Sequence, residues 1–504
     1  MGAHMRVLAV AGFVALVGAA PAPKPDPDTA AWWATTAELS NDSMEGRDTG
    51  SAAYMRAARL VASRFAAAGL KPAGDDNSWF QSVPMHEVRV DRAIIRVGSR
   101  RLVFLHDLTI SPGAATPAHV DAPIAYGGYC GGSSLGDVRG KLVICHGTHR
   151  PGLPGANERE AAVRSAGAVG MLTIADPGFT MEPPRWPYAY ARTVTLANDH
   201  PKADPFLKMT LNAGSLGKLL EGSGRDAAAL IDAGSSGHSL PSFPLPSRLE
   251  ADFTIRQSDI SSPNVLALMP GSDPKLSDQL IVLSAHLDGY GHGEPVKGDR
   301  IYNGTLDDAA YVALLIRLAE RRQGHPFRRP VLFAAFTGEE KGLLGSHWYV
   351  EHPAVALRRT AADINLDQLR PIFPLKLLTV HGLNDTSLGD DAREVANSLG
   401  IDVQTDPEPE RNLIRRTDHW PFMEAGVPAT NFVFGFRPGS PSEQIYRQWY
   451  RTGYHKPQDD LKQPMDFKAA ADFNRFFYKL VERVADEPSA PVWKPGSGLK
   501  PKTR

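Results

Sequence analysis

Several side chains in the second half of this sequence are of the types that hold divalent metal ions, and they fall in short, separate motifs. His286 and Asp288 stand in HLD, just past the apolar run Leu280 to Leu283, and Asp307 and Asp308 stand in NGTLDDAA. Glu339 and Glu340 close TGEE, Asp367 lies in NLDQ, and His455 lies in GYHKPQDD. Imidazole and carboxylate together are what a borderline ion such as zinc accepts. Each motif alone is ordinary, because a His-x-Asp is a common surface turn and paired glutamates are usually solvated. Their shared position carries the weight: four of the motifs follow expected strands, where open α/β sheets bind ligands. The donor set suits two ions. One carboxylate bridges, each ion takes one histidine and one further carboxylate, and positions stay open for water and substrate. Two ions about 3.5–4 Å apart can act on both the attacking and the departing group. A carboxylate outside the ligand set must then take the proton from water, and the adjacent Glu339 and Glu340 can divide those duties.

The elements that must position these residues read as an alternation. NVLALMPG, QLIVLSAHLD, RPVLFAAFTGEE, ADINLDQL and VPATNFVF are apolar runs of strand type. Between them DDAAYVALLIRLAERR, KGLLGSHWYVEH and DAREVANSLG have helical character. This pattern predicts an α/β fold with a mostly parallel, mixed sheet covered by helices on both faces. Phe473, Phe477, Leu480 and Val484 recur at helical spacing near the end, and Tyr54, Ala57, Val61, Phe65 and Ala68 near the start, where Gly69 and Pro72 are stop signals. Between these halves the character changes. VRVDRAIIRVGSRRLVF reads as short strands, and RGKLVICHG, NEREAAVRSAG and AVGMLTIAD as strand, helix and strand of a small α/β unit. Met181 to Pro205 reads as irregular, Leu249 to Ile255 as the return to the main fold, and the residues after Asp486 as disordered.

Length and composition bound the rest. At 504 residues, with 42% hydrophobic and 22% charged, the chain is globular and long enough for two or three compact units. A formal net charge of -1 gives no basic excess to recommend a nucleic-acid partner. After Arg6 the run VLAVAGFVALVGAAPA is short, apolar and closed by small residues, which predicts a secretory signal peptide and an exported protein, periplasmic or secreted. No later stretch is long and apolar enough to span a membrane. The two cysteines, Cys130 and Cys145, lack metal-binding spacing and could be joined in an exported chain.

HLD, NGTLDDAA, TGEEKGLLGS, NLDQ, RTDHWPF and YHKPQDD, in this order, resemble the co-catalytic di-zinc aminopeptidase family, whose relatives include glutamate carboxypeptidase II and the transferrin receptor. NDSMEGRDTGSAAYMRAARLVASRFAAAGLKPAG is similar to that family's N-terminal helix, and DVRGKLVICHG with AGAVGMLTI resembles the protease-associated domain. The resemblance implies a signal peptide over 1–22 and a peptidase domain split into 30–85 and 256–486. Around it would stand an inserted protease-associated domain over 86–255 and a disordered tail over 487–504. It also implies ligand sets: His286, Asp307 and Asp367 for one zinc, and Asp307, Glu340 and His455 for the other. Glu339 matches the general base, Tyr454 the residue that hydrogen-bonds the oxyanion, and Asp288 the carboxylate that orients His286. Asp308 stands where many members have Asn, Ala309 and Ala310 replace a small Ser/Gly pair, and Thr417 fills a position often Ser. These departures bear on fine geometry and specificity and remove no ligand.

The implied activity is hydrolysis of peptide bonds, by default removal of N-terminal residues, with two zinc ions as cofactor; a carboxylate-rich site also accepts cobalt or manganese. The alternative within the family is a carboxypeptidase, in which Arg415, Arg416 and Arg437 would pair with a substrate carboxylate. A non-catalytic binding protein on the same fold would lack ligands that this sequence has. Glutaminyl cyclisation uses one zinc and is disfavoured by the complete second set.

Overall fold

The computed structural model of the protein describes residues 25–131, 135–148, 150–199, 203–367 and 369–501. The expected signal peptide, 1–22, lies outside the described residues.

Four strands, Val331–Phe336, Leu280–His286, Thr360–Asn365 and Ala429–Phe434, pair in that order and all in parallel. Leu377–His381 adds antiparallel beyond the last, and the end of the long strand Phe243–Met269 adds antiparallel beyond the first. All four parallel strands are buried, or nearly so, along their length. Successive side chains of a strand point to opposite faces, so Ile281, Leu283 and Ala285 enter one core and Leu280 and Val282 the other. The first core is closed by Trp32, Tyr54, Phe65, Tyr311 and Phe473, from the helices Pro27–Ser40, Ala52–Ala67, Ala310–Arg321 and Phe467–Asp486. The second is closed by Tyr349 and Phe422, from Leu344–Glu351 and His419–Glu424. The mixed sheet with helices on both faces is the architecture that the alternation of apolar runs predicts.

Two of these findings differ from the sequence reading. Pro27–Ser40 is a helix capped by the Asp26 carboxylate, in a stretch for which the sequence reading gives no helix. Its buried face carries Thr29, Thr35, Thr36 and Ser40 as well as Trp32 and Leu39, so no apolar stripe marks it. The hydroxyls satisfy themselves one turn back, Thr36 Oγ1 on Trp32 O at 3.0 Å and Ser40 Oγ on Thr36 O at 2.9 Å. The segment 487–501, expected to be disordered, is packed. Trp493 Nε1 donates to Gly426 O at 2.8 Å, Lys494 pairs with Asp390 at 2.7 Å, and Trp493 and Leu499 lie against the second core. Aromatic and aliphatic anchors offset the ordering cost that its Pro, Gly and Lys content suggests would prevail.

Phe80–Val97 pairs antiparallel with Phe243–Met269 from Phe80 opposite Val265 to Val97 opposite Leu249, a ribbon that leaves the central sheet. At its far end His119–Tyr126, Leu142–His146, Gly170–Ala175 and Leu207–Asn212 continue as a smaller parallel sheet over a separate core that includes Tyr126, Ile144, Leu172 and Leu249. The helix Ala156–Ser165 follows the second of these strands, and Cys130 and Cys145 are joined by a disulfide beneath it. Part of the expected irregular stretch, Ala191–Leu196, is a strand paired with Met85–Val90. The expected return, Leu249 to Ile255, is the middle of a 27-residue strand.

Arg47 fixes the first half of the chain onto the second. Fully buried, it donates to the carbonyls of Leu287 at 2.8 Å, Leu39 at 2.8 Å, Asn303 at 2.7 Å and Gly304 at 2.9 Å. Burial pushes its guanidinium down to about 10, opposed by Asp459 and Asp288, so it is still charged at neutral pH. Arg47→Ala leaves several buried acceptors without donors and is expected to lower unfolding free energy by about 3 kcal/mol or more, measured by urea denaturation of the purified protein.

Candidate metal centre

His286 ends its strand, Glu339 and Glu340 follow Val331–Phe336, and Asp367 lies two residues beyond Thr360–Asn365, so the sheet brings them to one edge. Asp307 and His455 reach the same edge from loops. Asp307 stands between the two histidines: its Oδ1 lies 3.4 Å from His286 Nε2 and its Oδ2 lies 3.3 Å from His455 Nε2. His455 Nε2 is also 3.3 Å from Glu340 Oε2, and His286 Nε2 is 4.0 Å from Asp367 Oδ1. A tetrahedron with arms of ~2.1 Å has edges of ~3.4 Å, so the first three separations are those of donors around a common zinc. Two triads, His286 with Asp307 and Asp367, and Asp307 with Glu340 and His455, each keep their donor atoms within 4.8 Å of one another. His286 Nε2 and Asp307 Oδ2 are buried without a hydrogen-bond partner, as atoms turned toward a missing cation would be. The residues fit a pair of zinc ions bridged by Asp307.

The supports are main-chain and side-chain hydrogen bonds. His286 Nδ1 lies 3.0 Å from Asp288 O, and because a carbonyl only accepts, Nδ1 donates there and Nε2 is the nitrogen turned to Asp307. The expectation that the Asp288 carboxylate orients His286 is therefore corrected. That carboxylate is 3.8 Å from Nδ1 and instead accepts from Thr49 Oγ1 at 2.8 Å and from the Glu339 N–H at 3.1 Å. Asp308 Oδ2 accepts from the His286 N–H at 3.2 Å, which gives its carboxylate a structural duty. Gly304 has φ 57° and a Cβ there would stand 2.3 Å from Asp307 O, so the NGT turn needs glycine. The Leu306 N–H donates to Asp459 Oδ1 at 2.9 Å, holding the loop that presents Asp307. Tyr290 OH and His455 Nδ1 are 2.8 Å apart. Arg370, fully buried, lies over Trp449 and 3.6 Å from Asp307 Oδ2. Tyr290 and Arg370 carry no motif of their own in sequence; Arg47 stands inside NDSMEGRDTG and Asp459 inside YHKPQDD, where their partners, far off in the chain, could not be foreseen.

Crowded carboxylates set the electrostatics. Burial raises Glu339 and Glu340 well above the usual carboxylate range, and the charges of Asp367 on the first and Asp307 on the second add to it. Burial also raises Asp308, with Asp367 and Asp307 adding to it. Burial opposes charge on His286 too, yet Glu339, Asp307, Asp308 and Asp367 hold it well above its ordinary value. Burial would raise Asp307, but both histidines hold it well below. His455 is pushed down to about 3 by burial and by Arg185, so its imidazole is neutral, as a ligand must be.

Glu339 Oε2 is 3.8 Å from His286 Nε2, beside the centre but in neither triad. The Tyr454 ring lies on that of His455 with centroids 3.8 Å apart. The arginines are committed elsewhere. Arg416 gives Glu182 two hydrogen bonds, of 2.7 and 3.0 Å, Arg437 pairs with Asp402 in solvent, and Arg415 is exposed with its guanidinium over Trp420.

Residues 264–481 match the profile of Peptidase family M28. The likeness to an M28 peptidase domain covers this segment, which contains the four parallel strands and every residue of both triads. Aminopeptidase YwaD of Bacillus subtilis (strain 168) is 26% identical over 206 residues, 40% of this chain and 40% of its own length. The alkaline phosphatase isozyme conversion protein of Escherichia coli (strain K12) is 28% identical over 255 residues, 45% of this chain and 72% of its own. A probable zinc metalloprotease of Pyrenophora teres f. teres is matched over 50% of its length, so the chain spans about half or less of two of these three relatives. The aminopeptidase from Aneurinibacillus sp. strain AM-1 superposes with a TM-score of 0.61 at 18% identity, covering 93% of this chain and 96% of that one. BSAP, a zinc aminopeptidase from Bacillus subtilis, gives 0.61 at 19% over 92% and 96%. The fold is shared over nearly the full length of those chains.

In the M28-like segment, raised carboxylates destabilise the metal-free fold as pH rises above the ordinary carboxylate range, where the unfolded chain is already ionised. Glu339, Glu340 and Asp308 act in that sense, and so does the raised His286 above the ordinary histidine value, while the lowered His455 opposes them between about 3 and that value. Chelation is therefore expected to lower Tm, with a larger gap to zinc-loaded protein at pH 8 than at pH 5, read by scanning calorimetry.

Proposed function

We propose that the protein is an exported zinc metallopeptidase that removes N-terminal residues from peptides. The observation that carries the reading is Asp307, whose two oxygens face two different histidines while Glu339 stands beside both triads and in neither. Zinc ions held by His286, Asp307 and Asp367 and by Asp307, Glu340 and His455 would acidify water and polarise the scissile carbonyl. Glu339, raised by its burial, takes the proton of the attacking water and passes it to the leaving amine. The phenol of Tyr454 hydrogen-bonds the oxygen that becomes negative. The disulfide Cys130–Cys145 supports an oxidising compartment and hence export. The separate core of the small unit supports reading 86–255 as an inserted protease-associated domain.

The carboxypeptidase alternative gains nothing from Arg415, Arg416 and Arg437. One is paired with Glu182, one with Asp402, and the third stacks on a surface tryptophan. A binding protein without chemistry would not need a buried glutamate next to a complete ligand set.

Glu339→Gln is expected to retain two zinc ions per chain by atomic absorption and to lose about 10²- to 10⁴-fold in hydrolysis of leucine p-nitroanilide. Near-normal turnover in that variant would rule out its role as base.

A further inference from the structure

The segment 181–190, between the strands Gly170–Ala175 and Ala191–Leu196, lies against the loops that carry His455 and Glu340. Lys456, the residue after His455, donates through Nζ to Trp186 O at 2.8 Å and to Pro187 O at 3.2 Å. The Arg185 guanidinium lies 4.5 Å from the centre of the Tyr454 ring. Two hollows flank Pro183 and Pro184, which together with Ala175 wall both of them. The inner hollow, about 290 Å³, is lined by Arg185, Arg411, Arg416 and Glu182. The outer hollow, about 660 Å³, is apolar, with Pro177, Trp186, Ala213, Ala227, Ala228 and Ile231 in its walls. Beside Asp307, Glu340 and His455 the free volume is about 10 Å³, room for about one water. A peptide that reaches the centre must therefore have its remaining residues accommodated outside it.

We propose that the outer groove is an extended subsite for apolar residues of the peptide substrate that lie beyond the residue removed. The preferred substrates are then oligopeptides with apolar residues downstream, and single-residue amides and dipeptides are poor ones. The inference rests on the peptidase reading. Three features select this occupant. The groove shares walls with the hollow that ends at Arg185 and Arg416, and Arg185 lies on Tyr454. Trp186, in the groove wall, is one hydrogen bond from Lys456 and so from the loop of a metal ligand. The charged inner hollow suits the main-chain dipoles of a peptide, whereas the outer walls, Asn212 and Asp232 apart, offer side chains apolar surface, in a volume typical of ligand sites. A second copy of the chain seated there would cover the way to the centre.

The test compares three substrates on zinc-loaded protein: leucine p-nitroanilide, the hexapeptide Leu-Gly-Gly-Val-Leu-Ala, and its polar counterpart Leu-Gly-Gly-Ser-Gly-Ser. The apolar hexapeptide is expected to exceed the polar one in kcat/KM by about tenfold or more, the scale of burying a few methylenes in a pocket. Ala228 is exposed on the helix Ala227–Ser236, so Ala228→Glu charges the groove without touching a core. That variant should erase the preference and leave p-nitroanilide turnover unchanged. Binding is read separately by calorimetric titration of both hexapeptides into the Glu339→Gln protein with and without Ala228→Glu. Equal kcat/KM and equal Kd for the two hexapeptides overturn the proposal. So does a dimer that Ala228→Glu dissolves while the peptide series stays flat, which assigns the groove to a second copy. If no substrate is cleaved, the peptidase reading fails and the titration alone decides the groove.

Discussion

One carboxylate shared by two histidines is the constraint around which the rest of the structure is arranged. Asp307 holds an oxygen toward His286 and another toward His455, and Glu339, Glu340, Asp308 and Asp367 crowd the same buried volume. So many carboxylates out of water repel one another unless cations stand among them. The protein tolerates the crowding because the ligands are fixed from outside the site. Asp459 holds the loop before Asp307, Arg47 ties that loop to the end of the His286 strand, and Arg370 brings a buried positive charge to the bridging oxygen.

The same fixing reaches into the small unit. Lys341 follows Glu340 directly, and its Nζ reaches Tyr190 OH at 2.6 Å and Asp48 Oδ1 at 3.3 Å. Asp48 in turn accepts from Arg192, which also pairs with Glu87 on the ribbon strand. Tyr190 stacks on Tyr290, and Tyr290 meets His455. The loops that carry Glu340 and His455 are thus braced against the same residue of the small unit, Tyr190. That bracing gives the unit a mechanical stake in the centre, although none of the proposed ligands comes from it.

Where sequence reading fell short, the cause was a partner distant in the chain. Asp288 sits two residues from His286, and the obvious role for its side chain was to orient that ring. In the fold the main-chain carbonyl is nearer, and the carboxylate turns to Thr49 and the Glu339 N–H, 239 and 51 positions away. The helix Pro27–Ser40 was hidden because four of its six buried residues carry hydroxyls, most of them bonding within the helix, a pattern no apolar periodicity reveals. The tail after Asp486 has a composition that favours disorder, and a single tryptophan with a backbone acceptor on Gly426 reverses that.

The sequence by itself determined the parallel sheet, since buried strands and amphipathic helices are local patterns of period two and 3.6, and it determined the donor types, since only a few side chains can bind zinc. It also put those donors at strand ends, where the sheet's topology gathers them on one edge. Only the tertiary structure decided which oxygen of Asp307 faces which histidine, which arginines are already paired, and that the segment 181–190 lies against the loops carrying Glu340 and His455. Most of these contacts join residues well apart in the chain, as Arg416 and Glu182 are at 234 positions, and no local preference encodes a distance of that kind.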